Sequence, residues 1–385
     1  MIYFDNAATG GRKPDQVLTA VQSALRVCAN PGRSGHKLAL TCARLVQDTR
    51  NALNDFFHGY GFDRVIFTKN CTEALNVALF GALHKGDHVV TTCMEHNSVL
   101  RPLHALQTAE IISYDVCPLT GEKGDGNVTA EGIRALLRPN TRAVVVSTAS
   151  NVNGAIPNLD KIRAVLPEKI LLICDGAQGC GHLPIDMQKT GIDALAVAGH
   201  KGMHGIQGSG VLLFSERIDP APFYYGGTGS ISNSLDMPDF YPDRLEAGTL
   251  SFPAVMSLLE GTRYLTMHGK RAQNKIFGLT ESLIAGLAQM PDYTLFSRPN
   301  PCGIVAFAHR AYPSNYVARR LDEDFGIAVR SGLHCAPLMH KWLGTGENGL
   351  VRASFSHFNS VKEVELLLDA LAAIARETPQ ELDLF

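Results

Sequence analysis

One stretch limits what this chain can become. From Leu171 to Phe214 it reads LLICDGAQGCGHLPIDMQKTGIDALAVAGHKGMHGIQGSGVLLF. Three short apolar runs, Leu171–Cys174, Asp193–Ala198 and Gly210–Phe214, alternate with glycine-rich turns, as buried strands do. The first run leads into an acid, Asp175, and the second into Gly199-His200-Lys201. Open α/β sheets place their ligands at the carboxyl ends of buried strands, so acid and lysine are expected on one rim. Burial there lowers an amine's pKa and exposes a nucleophile, while a buried carboxylate needs a cation to hold. Pyridoxal 5'-phosphate asks for both, a lysine on its aldehyde and an acid on its ring nitrogen. The bland alternative is a sheet core with an accidental lysine at its rim.

The flanking sequence supplies the other layers. Val17, Leu18, Val21, Leu25 and Cys28 form a helical stripe behind Pro14, and a long amphipathic helix is expected after the loop Asn30–His36, to about Phe57. From Arg64 strand and helix alternate: Val65–Thr68 with Thr72–Leu83, Val89–Thr92 with Ser98–Gln107, Ala143–Thr148 with Leu159–Leu166. That alternation implies a mostly parallel sheet covered on both faces. Cys117–Asn127 reads as a surface excursion, and a helix over Val255–His268 as the bridge to a smaller α/β domain that closes with a helix after Ser360.

Several classes are disfavoured. A net charge of −2 gives no electrostatic case for nucleic acid or anionic membrane. No apolar stretch approaches the ~20 residues of a membrane helix, and MIYFDNAATGG lacks the basic region of a signal peptide. Nine scattered cysteines without a C-x-x-C pair point to reduced thiols in a cytoplasm. Neither a P-loop nor a dinucleotide glycine signature is present. His200 and His204 have metal-ligand spacing, but Gly199, Gly202, Gly205 and Gly208 argue against a helix and no third ligand is evident, so no metal is expected.

Further motifs follow in order. Phe67–Ala74 joins a strand to a helix whose first N–H groups suit an anion, with Cys71 and Thr72 in its first turn. An ordinary threonine cap is the plain alternative there. Together with Tyr3–Ala8, Asp175-Gly176-Ala177-Gln178 and Gly199-His200-Lys201, the chain resembles the class V aminotransferase family over nearly its whole length, within it the cysteine desulfurases and selenocysteine lyases. Ile327-Ala328-Val329-Arg330-Ser331-Gly332-Leu333-His334-Cys335-Ala336-Pro337 resembles the short-loop second group of desulfurases.

The resemblance implies a fold-type-I pyridoxal phosphate homodimer, with a large domain over residues 15–254 and a small one from 1–14 and 255–385. It implies that Lys201 carries the cofactor, Asp175 meets the ring nitrogen, and His96 stacks on the ring and moves protons. Asn151, Gln178, Cys71, Thr72 and His200 would complete the cofactor site, with Thr228 reaching it across a dimer interface. Cys335, its thiol activated by nearby arginine and histidine, would take the substrate's sulfur as a persulfide and pass it to an acceptor protein. Arg352, Arg330 and Asn151 would hold the substrate carboxylate. Arg33 and His36 would lie on a loop reaching the neighbouring subunit, and the segment Arg244–Thr249 near the site mouth without a defined chemical role. Ala198 and Cys71 depart from the family's hydroxyl residues, each weakening one donor to the phosphate. Alternatives remain open: a selenocysteine lyase, a lyase, epimerase or transaminase for a sulfur-free amino acid, or a non-catalytic persulfide carrier.

Overall fold

The structure, a computed structural model, describes residues 1–27, 29–31, 34–121 and 126–376; Cys28 and Arg33 lie outside the described residues. The chain begins with β1 (Ile2–Tyr3), α1 (Asp15–Arg26) and α2 (Lys37–Phe57). Alternation follows: β2 (Val65–Thr68), α3 (Cys71–Ala82), β3 (Asp87–Thr92), α4 (Asn97–Thr108), β4 (Ile112–Cys117), α5 (Ala130–Ala135), β5 (Thr141–Ser147), α6 (Leu159–Val165), β6 (Leu171–Asp175), α7 (Met187–Thr190), β7 (Ala194–Ala198) and β8 (Gly210–Phe214). The remainder comprises α8 (Phe252–Leu287), β9 (Tyr293–Leu295), β10 (Ile304–His309), α9 (Ser314–Phe325), β11 (Ile327–Ala328), α10 (Pro337–Leu343), β12 (Val351–Ser354) and α11 (Val361–Ala375).

Seven strands form one sheet in the order β2-β8-β7-β6-β5-β3-β4, and β8 alone runs against its neighbours. The pleat divides each central strand between two cores. On β6, Leu172 and Cys174 join one apolar cluster, and Leu171 and Ile173 the other. The expected α/β fold is therefore present, including a third strand run that returns antiparallel.

Two helices differ from the sequence reading. In α1, Val17 and Ala24 are buried, whereas Leu18 and Leu25 are 46% and 63% exposed. The period was right for a helix, but α1 packs against α8 on a narrower face than the leucines outline. Helix α8 does not stop near His268. It continues because Ile276, Leu279, Leu283 and Leu287 are buried, the last three in a separate cluster with β10, β12 and α11. No helix among the described residues is long and apolar enough to cross a membrane.

A buried ion pair anchors the sheet edge beside the site. Glu246 accepts two Arg50 N–H bonds at 2.9 and 2.6 Å and the Phe67 N–H at 2.7 Å, and the Arg50 guanidinium lies over the Phe67 ring. The Arg244–Thr249 segment expected near the mouth is thus a tether between α2 and β2. Glu246→Ala strands a buried guanidinium and is expected to cost about 3–5 kcal/mol, read as a lower urea midpoint. An unchanged midpoint would discount the tether.

Candidate active site

Strands β5, β6 and β7 bring the rim together. Asp175 is the last residue of β6, level with Ser147 on β5 and Ala196 on β7. The turn carrying Lys201 packs against the turn after β6 with no room for side chains: a Cβ on Gly181 would lie 2.3 Å from the Gly202 carbonyl oxygen. The adjoining helix α3 also approaches closely, since a Cβ on Gly210 would lie 2.5 Å from Asn70 backbone carbon. The rim borders a cleft of about 230 Å³ whose walls include Cys71, Thr72, His96, Asn151, Asp175, Gln178, Ala198, His200, Lys201 and Arg330.

The charges are set by burial. Desolvation lowers the Lys201 amine, opposed by the nearby Asp175 carboxylate. His96 caps α4 by accepting the Ser98 N–H on Nδ1 at 3.0 Å. Its pKa is pushed down to about 4, chiefly by burial. The ring expected to titrate near neutrality is therefore neutral there, with Nε2 left for proton traffic. Glu95, next to it, is fully buried and accepts from Thr92 Oγ1 at 2.6 Å and Ser147 Oγ at 2.6 Å, and burial raises it to about 7. His200 hydrogen-bonds Thr9 Oγ1 through Nδ1 at 3.1 Å.

The anion end is built differently from the expectation. Asn70, not Thr72, caps α3, accepting the Glu73 N–H at 2.9 Å. The first helical amides, at Cys71 and Thr72, then have no acceptor within the helix and remain open to an anion. The Cys71 thiol turns away from that role and stands 3.4 Å from Asp175 Oδ1. Gln178 donates to the Ala7 carbonyl at 3.0 Å. Thr228 is not among the cleft residues and bonds Ser230 Oγ at 3.1 Å. His36 caps α2 through Nδ1.

The arginines divide their work. Arg330 lines the cleft, while Arg352 is 1% exposed and not a cleft residue. Arg352 donates to Asp5 Oδ1 at 2.9 Å and to the Asn151 carbonyl at 2.8 Å, and its Nε is buried without a partner. Burial lowers its pKa to about 10. Asn151 in turn donates to the His334 carbonyl at 2.7 Å.

Cys335 is the one exposed cysteine among the described residues. It lines an outer groove that shares Thr72, His96 and Ser98 with the cleft. Arg330 Nη2 lies 3.8 Å from its sulfur. His334 and Cys335 both adopt left-handed backbone, φ 50° and 57°, which costs non-glycine residues of order 1–3 kcal/mol each. The Asn97 N–H holds the Cys335 carbonyl at 2.8 Å, so the strained pair is fastened from the cleft wall. Behind it, His334 Nδ1 and His340 Nε2 are 3.4 Å apart. No metal-binding group of His, Cys, Asp or Glu occurs among the described residues.

The donor set fits pyridoxal phosphate: an amine held toward its neutral form, a carboxylate in the same cleft, a flat neutral imidazole and open helix amides. Several half-buried histidines also fix an acid response. Burial holds His96, His182, His200 and His357 at about 4. The unfolded chain takes up these protons near the ordinary value of about 6.5, the native chain only near about 4, so falling pH in that window favours unfolding. The thermal midpoint is expected to be highest above pH ~6.5 and to fall steadily towards pH ~4.5. A flat profile would contradict the neutral, half-buried state of these rings.

Comparison with known proteins agrees with the geometry. The sequence profile of the family described as Aminotransferase class-V matches residues 2–367. A probable cysteine desulfurase of Methanothermobacter thermautotrophicus is 32% identical over 384 residues, covering 97% of this chain and 94% of the relative. A probable cysteine desulfurase of Pyrococcus abyssi is 32% identical, with 98% and 94% covered. Among solved structures, the apo cysteine desulfurase of Thermococcus onnurineus superposes with a TM-score of 0.88 at 30% identity, covering 97% of this chain and 94% of that one. With its Asp175–Lys201 rim, its cleft and a match over nearly its full length, the chain belongs to the class-V aminotransferase family, whose members work with pyridoxal phosphate.

Proposed function

We propose that this protein is a cysteine desulfurase, which takes sulfur from L-cysteine as a persulfide on Cys335 and releases L-alanine. The observation that carries the reading is the exposed Cys335 in a groove continuous with the Lys201 cleft through Thr72, His96 and Ser98. A transaminase has no use for a thiol at that place, and a persulfide carrier has no use for the Asp175 and Lys201 rim.

Lys201 would hold pyridoxal phosphate at its aldehyde, Asp175 at its ring nitrogen and Gln178 at its ring oxygen, with His96 against the ring. The Cys71 and Thr72 amides, the Thr72 hydroxyl and His200 would face the phosphate. Bound there, the cofactor supplies an electron sink for charge developing at the substrate α-carbon. Arg330 and Asn151 orient the substrate carboxylate. Arg352, fixed by Asp5, donates to the Asn151 carbonyl and so holds Asn151 in place from behind. Lys201, low in pKa by burial, takes and returns protons at the substrate carbon, and His96, neutral with Nδ1 accepting from Ser98, presents its Nε2–H as a second proton donor. The Cys335 thiolate forms a bond to the substrate sulfur. The substrate Cβ–S bond breaks, its electron pair stays on Cβ, and a proton there completes alanine.

The same reading includes a homodimer, a sulfur-acceptor protein and a cytoplasmic setting. Exposed Leu18, Leu25, Leu38 and Leu40, and Tyr225 and Leu235 near Thr228, support a subunit interface through which Thr228 reaches the partner's cleft. Free thiols at all eight described cysteines support a reducing compartment. A large domain of residues 15–254 with a small one of 1–14 and 255–385 is supported by the separate apolar cluster around β10, β12 and α11.

The test is single-turnover mass spectrometry of the cofactor-loaded protein after adding L-cysteine. One sulfur mass gained on the Cys335 peptide with one alanine released is the expected result. An unmodified Cys335 with selenocysteine consumed would replace the reading by a selenocysteine lyase. No reaction with either would send the substrate search to sulfur-free amino acids.

A further inference from the structure

The carboxylate of Asp175 is gripped by two side chains to which the reaction above gives no part as donors. Oδ1 lies 3.4 Å from Cys71 Sγ and accepts the Ala177 N–H at 2.9 Å, while Oδ2 lies 3.4 Å from Ser98 Oγ. Cys71, Ser98 and Asp175 are 7%, 8% and 4% exposed, and all three line the cleft. Cys71 and Ser98 stand in the first turns of α3 and α4, so two helix N-termini converge on one carboxylate. Positive helix ends favour a negative group there. The thiol is pushed well above its ordinary value by burial and by Asp175, so it remains S–H and is a donor rather than a second anion.

Ser98 has a second contact. Its Oγ is 2.9 Å from His96 Nδ1, the atom that already accepts the Ser98 N–H. A neutral ring with Nδ1 unprotonated offers that nitrogen as an acceptor, and the Ser98 hydroxyl proton is shared between it and Asp175. With a proton on Nδ1, the imidazolium donates to Ser98 Oγ, and the hydroxyl proton is then left to Asp175 Oδ2 alone. The remaining charged groups acting on His96 are Lys201, Arg330 and Arg101; the titratable groups acting with Asp175 from β6, its turn, the β3 end and the β7 turn are the neutral thiols of Cys174 and Cys180, Glu95 and Lys201.

We propose that Cys71 and Ser98 are positioning residues: their thiol and hydroxyl orient the Asp175 carboxylate toward the bound cofactor, and the Ser98 hydroxyl couples protonation of His96 to the grip on Asp175. The proposal rests on the reading that this cleft binds pyridoxal phosphate, and it is independent of which amino acid is the substrate. Cys71 is thereby not a weakened phosphate donor but a partner of the acid.

The experiment loads the full chain with pyridoxal phosphate, adds no substrate, and follows the visible band of the bound cofactor near ~420 nm against pH together with cofactor retention on dilution. Ser98→Ala is expected to shift the pH midpoint of the band by about half a unit or more, and Ser98→Thr to restore it. Cys71→Ala is expected to weaken retention by roughly threefold to tenfold, and Cys71→Ser, which keeps a donor, to recover it. Cys71→Val keeps bulk without the donor and carries the test should the alanine variant not fold. Ser98→Ala and Cys71→Val that titrate and retain cofactor as the wild type does would overturn the proposal and leave the cofactor reading intact. A wild-type chain that develops no band would overturn that reading, and this proposal with it.

Discussion

Lys201→Ala is expected to abolish turnover, by roughly 10⁴-fold or more, and to leave the cofactor-loaded protein without its band near ~420 nm. The loss is large because no other lysine among the described residues lines the cleft. Lys201 is a cleft residue, and Lys13 gives its amine to the His200 carbonyl at 3.0 Å. The amine works only in its neutral form, and burial lowers its pKa against the pull of Asp175. Lys201→Arg keeps a cation but cannot be deprotonated, so it is expected to fail as completely. Steady-state assay of alanine release and an absorption spectrum check the two consequences separately. A variant that keeps the band would mean that another group holds the cofactor.

Cys335→Ala is the second large effect. Desulfuration of L-cysteine is expected to fall by at least about 10³-fold, because the sulfur loses the one exposed thiol among the described residues. The cofactor site should stay whole: Cys335 lines the outer groove, not the cleft, and the band near ~420 nm is expected unchanged. Consumption of selenocysteine is expected to survive, since selenium leaves without a nucleophile more readily than sulfur. Equal loss on both substrates would argue that Cys335 supports the cleft and does not take sulfur. The carbonyl contacts of His334 and Cys335 to Asn151 and Asn97 run through backbone and persist when the thiol is removed, which keeps the comparison clean.

The acid response and the Glu246 tether probe different layers of the same design. The histidines report how dry the cleft and its surroundings are, while Glu246 reports how firmly the edge strand holds α2. Neither needs the cofactor to be present.

Much of the architecture was legible from local pattern. The runs Val65–Thr68 and Gly210–Phe214 are strands with those limits, because a buried strand is apolar along most of its length and is bounded by polar or glycine turns, Lys69-Asn70 after the first and Gln207-Gly208-Ser209 before the second. The acid and lysine of one rim were legible because strand direction alone places both at carboxyl ends. Helix α8 was cut short in the sequence reading, since its second half serves a core assembled from β10, β12 and α11, far along the chain.

The sequence by itself determined the order of the elements, the class of fold and which residues could carry the chemistry, because these depend on side-chain period and on motifs a few residues long. Tertiary structure alone decided how those residues are held. Arg352 meets Asp5 across 347 positions, Arg50 meets Glu246 across 196, and Ser98 meets Asp175 across 77. No local pattern encodes such pairs. They exist because burial takes each charged or polar group away from water and leaves only protein neighbours to satisfy it, and the fold chooses those neighbours.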